Sequence, residues 1–227
     1  MKSIESIIEA SQKFYSDLKD DPNARYRSWE HCYLDFYKAR NNTMPNYEYL
    51  SLQLSFYLAS WGMYRGSSFL LQKDYKIHIP IIEEILKAKY NPLMGIDCCE
   101  LKKEDNMNLL FELGEYIKNY YNYVRRSVRN QNIKSDISDT LLTKILMGTL
   151  GCVPAYDRYF IKGIKKERVA IGNYNRKSIL QLIKFYEEYS DKLNLLQEQL
   201  IVDDLKYPQM KILDMAFWQI GYDEDMK

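Results

Sequence analysis

The chain of 227 residues is long enough for one large domain, and its 46% of apolar residues can form a sizeable core. Its formal net charge of +1 excludes a protein that is basic or acidic as a whole. No run of about 18 uncharged apolar residues occurs, and the N-terminal segment lacks a signal-peptide pattern, so we expect a cytoplasmic protein without a membrane partner.

Helical spacing of apolar residues is the main signal along the chain. Apolar residues three and four apart predict long amphipathic helices at 107–124 and 179–200, and Asn175 is placed to cap the second. No segment alternates between apolar and polar residues, so no strand is predicted. Shorter helices are predicted at Ser3–Leu18, Ser28–Arg40, Ile81–Lys89 and Pro208–Ile220.

A central helix is predicted at Leu50–Gln72, where the residues are apolar on nearly every side. Gly62 and Gly66 lie within it, and glycine costs about 1 kcal/mol in a helix interior. Either close helix packing or the approach of a ligand would explain them. Around this helix we expect an all-α protein of about nine helices, as one domain or as two lobes, 1–106 and 107–227.

The second constrained segment is Thr140–Phe160, an apolar run that contains Lys144 and leads to Asp157. A charge inside an apolar run costs free energy unless it has a partner or a use. Pro154 is placed to open the next helix with Asp157 in its first turn, which would bring Lys144 and Asp157 together. Burial lowers the pKa of a lysine, so Lys144 is the candidate nucleophile and Asp157 its orienting carboxylate. The alternative is a buried ion pair that fixes helix packing.

Positive charge is concentrated in residues 117–177, which hold 13 basic and 4 acidic side chains. Clustered arginine and lysine neutralise phosphate, and interleaved aromatic rings can stack on unpaired bases. This segment predicts a groove for DNA or RNA. The alternatives are a basic face that pairs with the acidic ends of the same chain, an anionic nucleotide, or a protein partner. The predicted phosphate-binding residues are Arg65, Arg125, Arg126, Arg129, Arg158, Lys162 and Lys165.

A base pocket is predicted from Trp61, Tyr64 and Tyr156, three of the aromatic residues in the two constrained segments. The 21 tyrosines are also typical of a hydrophobic core whose outer residues contact water, because a tyrosine ring can be buried while its hydroxyl keeps a polar partner. The four cysteines form no Cys-x-x-Cys motif and only two histidines occur, so we expect reduced cysteines, no metal site and no cofactor.

The run TKILMGTLGCVPAYDRYF, which begins at Thr143, resembles the lysine-to-aspartate segment of helical DNA glycosylases of the 8-oxoguanine type. The chain as a whole is similar to a bacterial protein family. In the glycosylases a lysine lies on one helix and Pro-x-x-Asp opens the next, so the resemblance implies that Lys144 is the Schiff-base lysine and Asp157 the activating aspartate. The glycosylase hairpin Leu-Pro-Gly-Val-Gly is replaced by LGCVP, which ends at Pro154, and the lysine-to-aspartate spacing is shorter.

We therefore expect a nucleic-acid-binding or nucleic-acid-acting protein that resembles a helical DNA glycosylase. The alternative is a non-catalytic interaction or regulatory protein that binds a protein or a nucleotide through the same tyrosine-rich, basic surface. The two hypotheses differ at Lys144, which lies at the floor of a cleft in the first and is sealed in an ion pair in the second. The sequence predicts no oligomeric state.

Overall fold

The structure, a computed structural model, describes residues 4–129 and 136–226, without the side chain of Arg129. Helices fill most of this part of the chain, and the all-α class is confirmed. The helices are α1 (Ile4–Asp20), α2 (Ser28–Arg40), α3 (Tyr47–Ser60), α4 (Ile79–Ile85), α5 (Cys98–Leu101), α6 (Glu104–Arg129), α7 (Asp139–Thr149), α8 (Arg158–Lys166), α9 (Arg176–Glu188), α10 (Ser190–Gln197) and α11 (Gln209–Asp225). Four short 3₁₀ helices lie at Arg25–Arg27, Phe69–Gln72, Tyr75–His78 and Ala88–Leu93.

The helix predicted at 179–200 is broken at Tyr189, whose backbone leaves the helical region between α9 and α10. Its predicted cap is confirmed, because the Asn175 side chain accepts a hydrogen bond from the Ser178 amide at 2.9 Å. A small antiparallel hairpin follows, formed by β1 (Ile201–Val202) and β2 (Leu205–Lys206). Two residues per strand are too few to show an alternating pattern, so the sequence carried no signal for it.

The predicted central helix Leu50–Gln72 is wrong, because α3 ends at Ser60. Gly62 and Gly66 have φ angles of +78° and +57°, a left-handed backbone that terminates a helix and favours glycine. A methyl group placed on Gly66 would meet no other atom within 4 Å, so close packing does not explain this glycine. The residues after α3 form an exposed turn, which carries Arg65.

The last helix, α11, packs against α1 and α8. Its contact with α8 is unusually close, because a Cβ atom on Gly163 would overlap the carbonyl oxygen of Phe217, and one on Gly221 would overlap that of Tyr159. One hydrophobic cluster runs through the described residues and takes members from both 1–106 and 107–227. The division into two lobes stays a prediction.

Helices α7 and α8 are joined by a short irregular segment at residues 150–157 rather than by a tight turn. Ser138 caps α7 through its hydroxyl, which accepts a hydrogen bond from the Leu141 amide. After α7 the chain makes a left-handed turn at Gly151 (φ +65°) and continues without regular structure to Asp157. Pro154 lies in this irregular segment instead of opening α8, and Asp157 is the N-cap of α8 instead of lying in its first turn. In the described residues, no helix is both long and apolar enough to cross a membrane.

Candidate functional site

A cleft of about 720 Å³ lies where the turn after α3 meets the first residues of α7 and α8. Residues from all three elements line it, with Lys144 and Asp157 at its floor. Four aromatic residues and three arginines also line the cleft, namely Trp61, Tyr64, Tyr159, Trp218, Arg25, Arg65 and Arg158. The predicted lysine, aspartate and two of the three predicted pocket residues are therefore together at one place.

Lys144 is 3% exposed and has three partners at the cleft floor. Its Nζ atom donates a hydrogen bond to the carbonyl oxygen of Trp61 at 2.9 Å and lies 3.3 Å from the Asp157 Oδ2 atom. The amine also lies 5.2 Å from the centre of the Trp61 ring, within the range of a cation–π contact. Burial lowers the pKa of Lys144, while the Asp157 carboxylate partly opposes this shift.

The pair connects the ends of two helices. Trp61 is the C-cap of α3, so the Lys144 cation lies at the negative end of that helix. The Asp157 Oδ1 atom accepts hydrogen bonds from the Tyr159 and Phe160 amides, both at 3.1 Å, which places the anion at the positive end of α8. Each charge is thus stabilised by a helix dipole as well as by the other charge.

A second buried ion pair, Lys211–Asp214 on α11, lies beneath the first. The Lys211 Nζ atom is 2.8 Å from Asp214 Oδ2, and Asp214 Oδ1 accepts a hydrogen bond from the Ala155 amide at 2.9 Å. Both pairs line one very small internal cavity behind the cleft, together with Trp61. The sequence analysis missed this pair, although charges inside the apolar run KILDMAFWQI are the same signal that identified Lys144.

Three basic residues of α8, including Arg158 of the cleft, have acidic partners on α11. Arg158 and Lys162 both lie close to Asp225, at 2.8 Å and 2.5 Å. Lys166 pairs with Glu224 in the same way. Much of the positive charge on this face is therefore neutralised by the acidic end of the same chain, which is one of the alternatives that the sequence left open.

Arg25 and Arg65 are exposed at the cleft, and neither lies within ion-pair distance of a carboxylate in the described residues. Arg25 donates a hydrogen bond to the Tyr26 hydroxyl at 3.2 Å and lies over that ring. Arg65 was predicted from the sequence, whereas Arg25 was missed because it lies far from the basic segment. Two arginines without a carboxylate partner give the cleft a positive electrostatic potential.

The other predicted phosphate-binding residues whose side chains the structure describes lie outside the cleft. Arg125 lines a neighbouring, smaller cavity and donates a hydrogen bond to the Asp136 carbonyl oxygen at 3.0 Å. Arg126 and Lys165 are exposed on α6 and α8. The side chain of Arg129 lies outside the described residues.

The aromatic residues predicted to form a base pocket have different surroundings. Trp61 and Tyr64 line the cleft. The Tyr64 hydroxyl forms a hydrogen bond with His78 Nε2 at 2.8 Å, and His78 Nδ1 forms one with the Tyr121 hydroxyl. The buried His78 ring therefore fixes the position of the Tyr64 ring. Tyr156 is 1% exposed, and its hydroxyl pairs with Ser178 at 2.8 Å inside the core. Tyr156 therefore does not line the cleft, because the connection between α7 and α8 places its side chain in the core.

In the described part of the chain, no three His, Cys, Asp or Glu side chains converge to hold a metal ion. Comparison of the sequence with protein-family models, curated proteins and solved structures found no match. Function is therefore inferred from the chemistry of the cleft, and the glycosylase resemblance stays a prediction.

Proposed function

We propose that the protein binds nucleic acid by taking an unpaired nucleotide into the cleft. The observation that carries this proposal is the combination of half-buried aromatic rings with two arginines, Arg25 and Arg65, that have no carboxylate partner in the described residues. Rings offer a stacking surface to any base, and arginine offers a planar fork of donors to phosphate oxygens.

The size of the cleft favours a single nucleotide over a duplex. A cavity of about 720 Å³ lies in the range of sites that enclose one small organic molecule. An unpaired base has both its stacking faces and its hydrogen-bonding edge exposed, and removing it from a stack costs less in a single strand than in a duplex. Trp61, Tyr64 and Tyr159 are half-buried, so part of each ring remains available at the cleft.

The direct test measures binding of single-stranded and duplex oligonucleotides at several salt concentrations. We expect tighter binding of the single strand and a loss of affinity as salt rises, because each phosphate contact releases counterions. Arg65→Gln should weaken binding by about tenfold, since a hydrogen bond to a charged group contributes roughly 1.5–3 kcal/mol.

Arg126→Gln is the matched control, because Arg126 is exposed on α6 outside the cleft and carries the same charge. If both variants weaken binding equally, the interaction is diffuse and the cleft is not the site. Absence of binding at low salt would refute the proposal altogether.

A second candidate function is covalent chemistry at Lys144, as the resemblance to DNA glycosylases implies. The supporting observation is that Lys144 lies at the cleft floor and that burial lowers its pKa. A neutral amine can attack the aldehyde of an abasic sugar and lose water to form a Schiff base. The contacts of Lys144 with Trp61 O and Asp157 oppose this reaction, because the amine must leave both acceptors first.

Borohydride trapping tests the chemistry, because reduction of the Schiff base leaves a stable protein–DNA adduct. If Lys144 reacts, an abasic oligonucleotide gives an adduct with the wild type and with Lys165→Gln, a variant of an exposed lysine, but none with Lys144→Gln. If the wild type forms no adduct, Lys144 is a structural residue and the non-catalytic interpretation applies.

A further inference from the structure

A second cavity of about 370 Å³ adjoins the cleft. The two share the side chain of Arg65 and three other lining residues, Gly62, Met63 and Ser138, so they are compartments of one groove. The turn with left-handed glycines after α3 places Arg65 at the junction. An extended ligand in the cleft can therefore continue into the second cavity without crossing the core.

The two compartments differ in chemistry. The cleft contributes four aromatic rings and also Arg25, Arg65 and Arg158. The second cavity contributes Arg65, Arg125 and the serines at 67, 68 and 138 beside the apolar side chains of Met63, Ile137 and Leu141, with Phe69 as its one aromatic lining residue. Serine hydroxyls and arginine guanidinium groups are donors for phosphate oxygens, and they offer little stacking surface to a base. The second cavity therefore offers donors to a phosphate but little stacking surface, whereas the rings that can stack on a base line the cleft.

The charges of the second cavity favour an anion. Arg65 and Arg125 contribute two positive charges, and Asp136 contributes one negative charge. The Asp136 carboxylate accepts a hydrogen bond from the Asn122 side chain at 2.8 Å, while its carbonyl oxygen holds the Arg125 guanidinium at 3.0 Å. Arg125 is therefore oriented by the backbone next to α7, which reduces the entropy that it would lose on binding a ligand.

We infer that the second cavity is the phosphate subsite of the nucleotide site, with Arg65 and Arg125 on the phosphate while the base occupies the aromatic cleft. The ligand class is a nucleoside phosphate, free or as one unit of a single strand. This inference rests on the proposed function and adds an orientation to it: Arg125, on α6, contacts the phosphate and not the base.

The experiment compares ligands with and without a phosphate by tryptophan fluorescence. Trp61 and Trp218 line the cleft, so binding of a nucleoside or a nucleoside 5′-monophosphate should change their emission. We expect the wild type to bind the monophosphate about tenfold more tightly than the nucleoside, a ratio set by charge-assisted hydrogen bonds. Arg125→Gln should reduce this ratio to about two or less without changing the affinity for the nucleoside.

Arg126→Gln is the control for charge, because it removes the neighbouring arginine of α6 and should leave the ratio unchanged. Arg125→Lys keeps the positive charge but loses the planar pair of guanidinium donors. It should give an intermediate ratio of monophosphate to nucleoside affinity. Thermal unfolding of each variant checks the fold, and inorganic phosphate alone should compete with the monophosphate and not with the nucleoside.

The outcomes separate this inference from the proposed function. If oligonucleotides bind and Arg65→Gln weakens them, but Arg125→Gln lowers nucleoside and monophosphate affinity equally or affects neither, the phosphate subsite is wrong and nucleic-acid binding stands. If Arg125→Gln weakens binding of the 3′-monophosphate but not of the 5′-monophosphate, the phosphate subsite stands, and the strand runs through the groove in the opposite 5′-to-3′ direction. If neither oligonucleotides nor mononucleotides bind, both proposals fail.

Discussion

At the scale of single residues, the carboxylate of Asp157 has two separate roles. One oxygen caps α8 and the other contacts Lys144, so the same group fixes a helix start and the floor of the cleft. Removal of one member of a buried ion pair usually destabilises a protein by about 3–5 kcal/mol, because the other charge loses its partner. Here each charge also faces a helix end, which reduces that cost.

His78 provides a prediction about pH. Burial lowers the pKa of His78 to about 3, whereas a histidine in the unfolded chain titrates near 6.5. Between about pH 3 and pH 6.5 the unfolded chain therefore carries a proton on this histidine, whereas the folded protein does not. Stability from this group is complete above pH 6.5 and falls by about 1.4 kcal/mol for each pH unit as the pH drops towards 3. Urea unfolding of the wild type and His78→Gln between pH 7.5 and 5 should show a smaller slope in the variant.

The control uses the other histidine of the chain, His31, which is exposed on α2. His31→Gln should keep the slope of the wild type. His78→Gln should also be less stable at pH 7.5, because it loses the pairing of its ring with Tyr64 and Tyr121. Equal slopes in the wild type and both variants would contradict the assigned role of His78.

The residues of the cleft could be predicted in part from the sequence. Lys144 and Asp157 were found because a charge in an apolar run needs a partner, and the ion pair between them has the predicted members. Arg25 could not be found in this way, since an exposed arginine near the N-terminus has no local signal and reaches the cleft only through the packing of α1 and α2 with the rest of the chain. Tyr156 is next to Asp157 in the sequence, but proximity in sequence does not determine the direction of a side chain in an irregular connection between two helices.

At the scale of elements, the contact between α8 and α11 is the most sensitive to substitution. Gly163→Ala and Gly221→Ala should each destabilise the protein by about 2–4 kcal/mol or more, because the added methyl group would overlap a carbonyl of the facing helix and force the two backbones apart. Chemical unfolding of the purified variants measures this loss.

Gly114→Ala is the matched control, because Gly114 also lies inside a helix and its Cβ atom would be 3.8 Å from the nearest atom, a Leu142 methyl group. An ordinary contact at that distance allows the usual gain of about 0.5–1 kcal/mol when alanine replaces a helical glycine. If all three substitutions had similar effects, close packing of α8 on α11 would not be the reason that glycine occupies positions 163 and 221.

Helix positions were predictable where one side of a helix faces water, as in α1 and α6. The prediction failed at Leu50–Gln72, where the apolar residues after Ser60 do not continue the helix but form a turn and a 3₁₀ helix. Periodicity records which residues are buried and not which backbone they have, and only the positive φ angles of Gly62 and Gly66 distinguish the two conformations.

At the scale of the whole molecule, folding rearranges the charge that the sequence separates. The basic segment 117–177 and the acidic C-terminal residues are distant along the chain, but α8 and α11 bring them into contact. Exposed ion pairs of this kind add little to stability, with a median of about 0–1 kcal/mol. Their larger effect is on binding, because a paired lysine or arginine is less available to phosphate.

Removal of a carboxylate that competes with phosphate for these basic residues should strengthen the proposed binding of nucleic acid. Asp225→Asn takes away the shared partner of Arg158 and Lys162, so we expect oligonucleotides to bind about two- to fivefold more tightly. The slope of log affinity against log salt should steepen by about 0.7 for each new contact with a single strand. Asp223→Asn is the control, because it removes the same charge from a pair with Lys13. Equal effects of the two variants would show that net charge alone matters.

Helix α11 also determines when the cleft can exist during synthesis. It supplies Trp218 to the cleft wall and Lys211 and Asp214 beneath the floor, and it leaves the ribosome after every other element of the site. A nascent chain that ends before Gln209 therefore has Lys144 and Asp157 but no complete binding surface. If the cleft binds a nucleotide as proposed, recognition is delayed until translation has passed this helix, and a nascent chain that lacks it would not compete for the ligand.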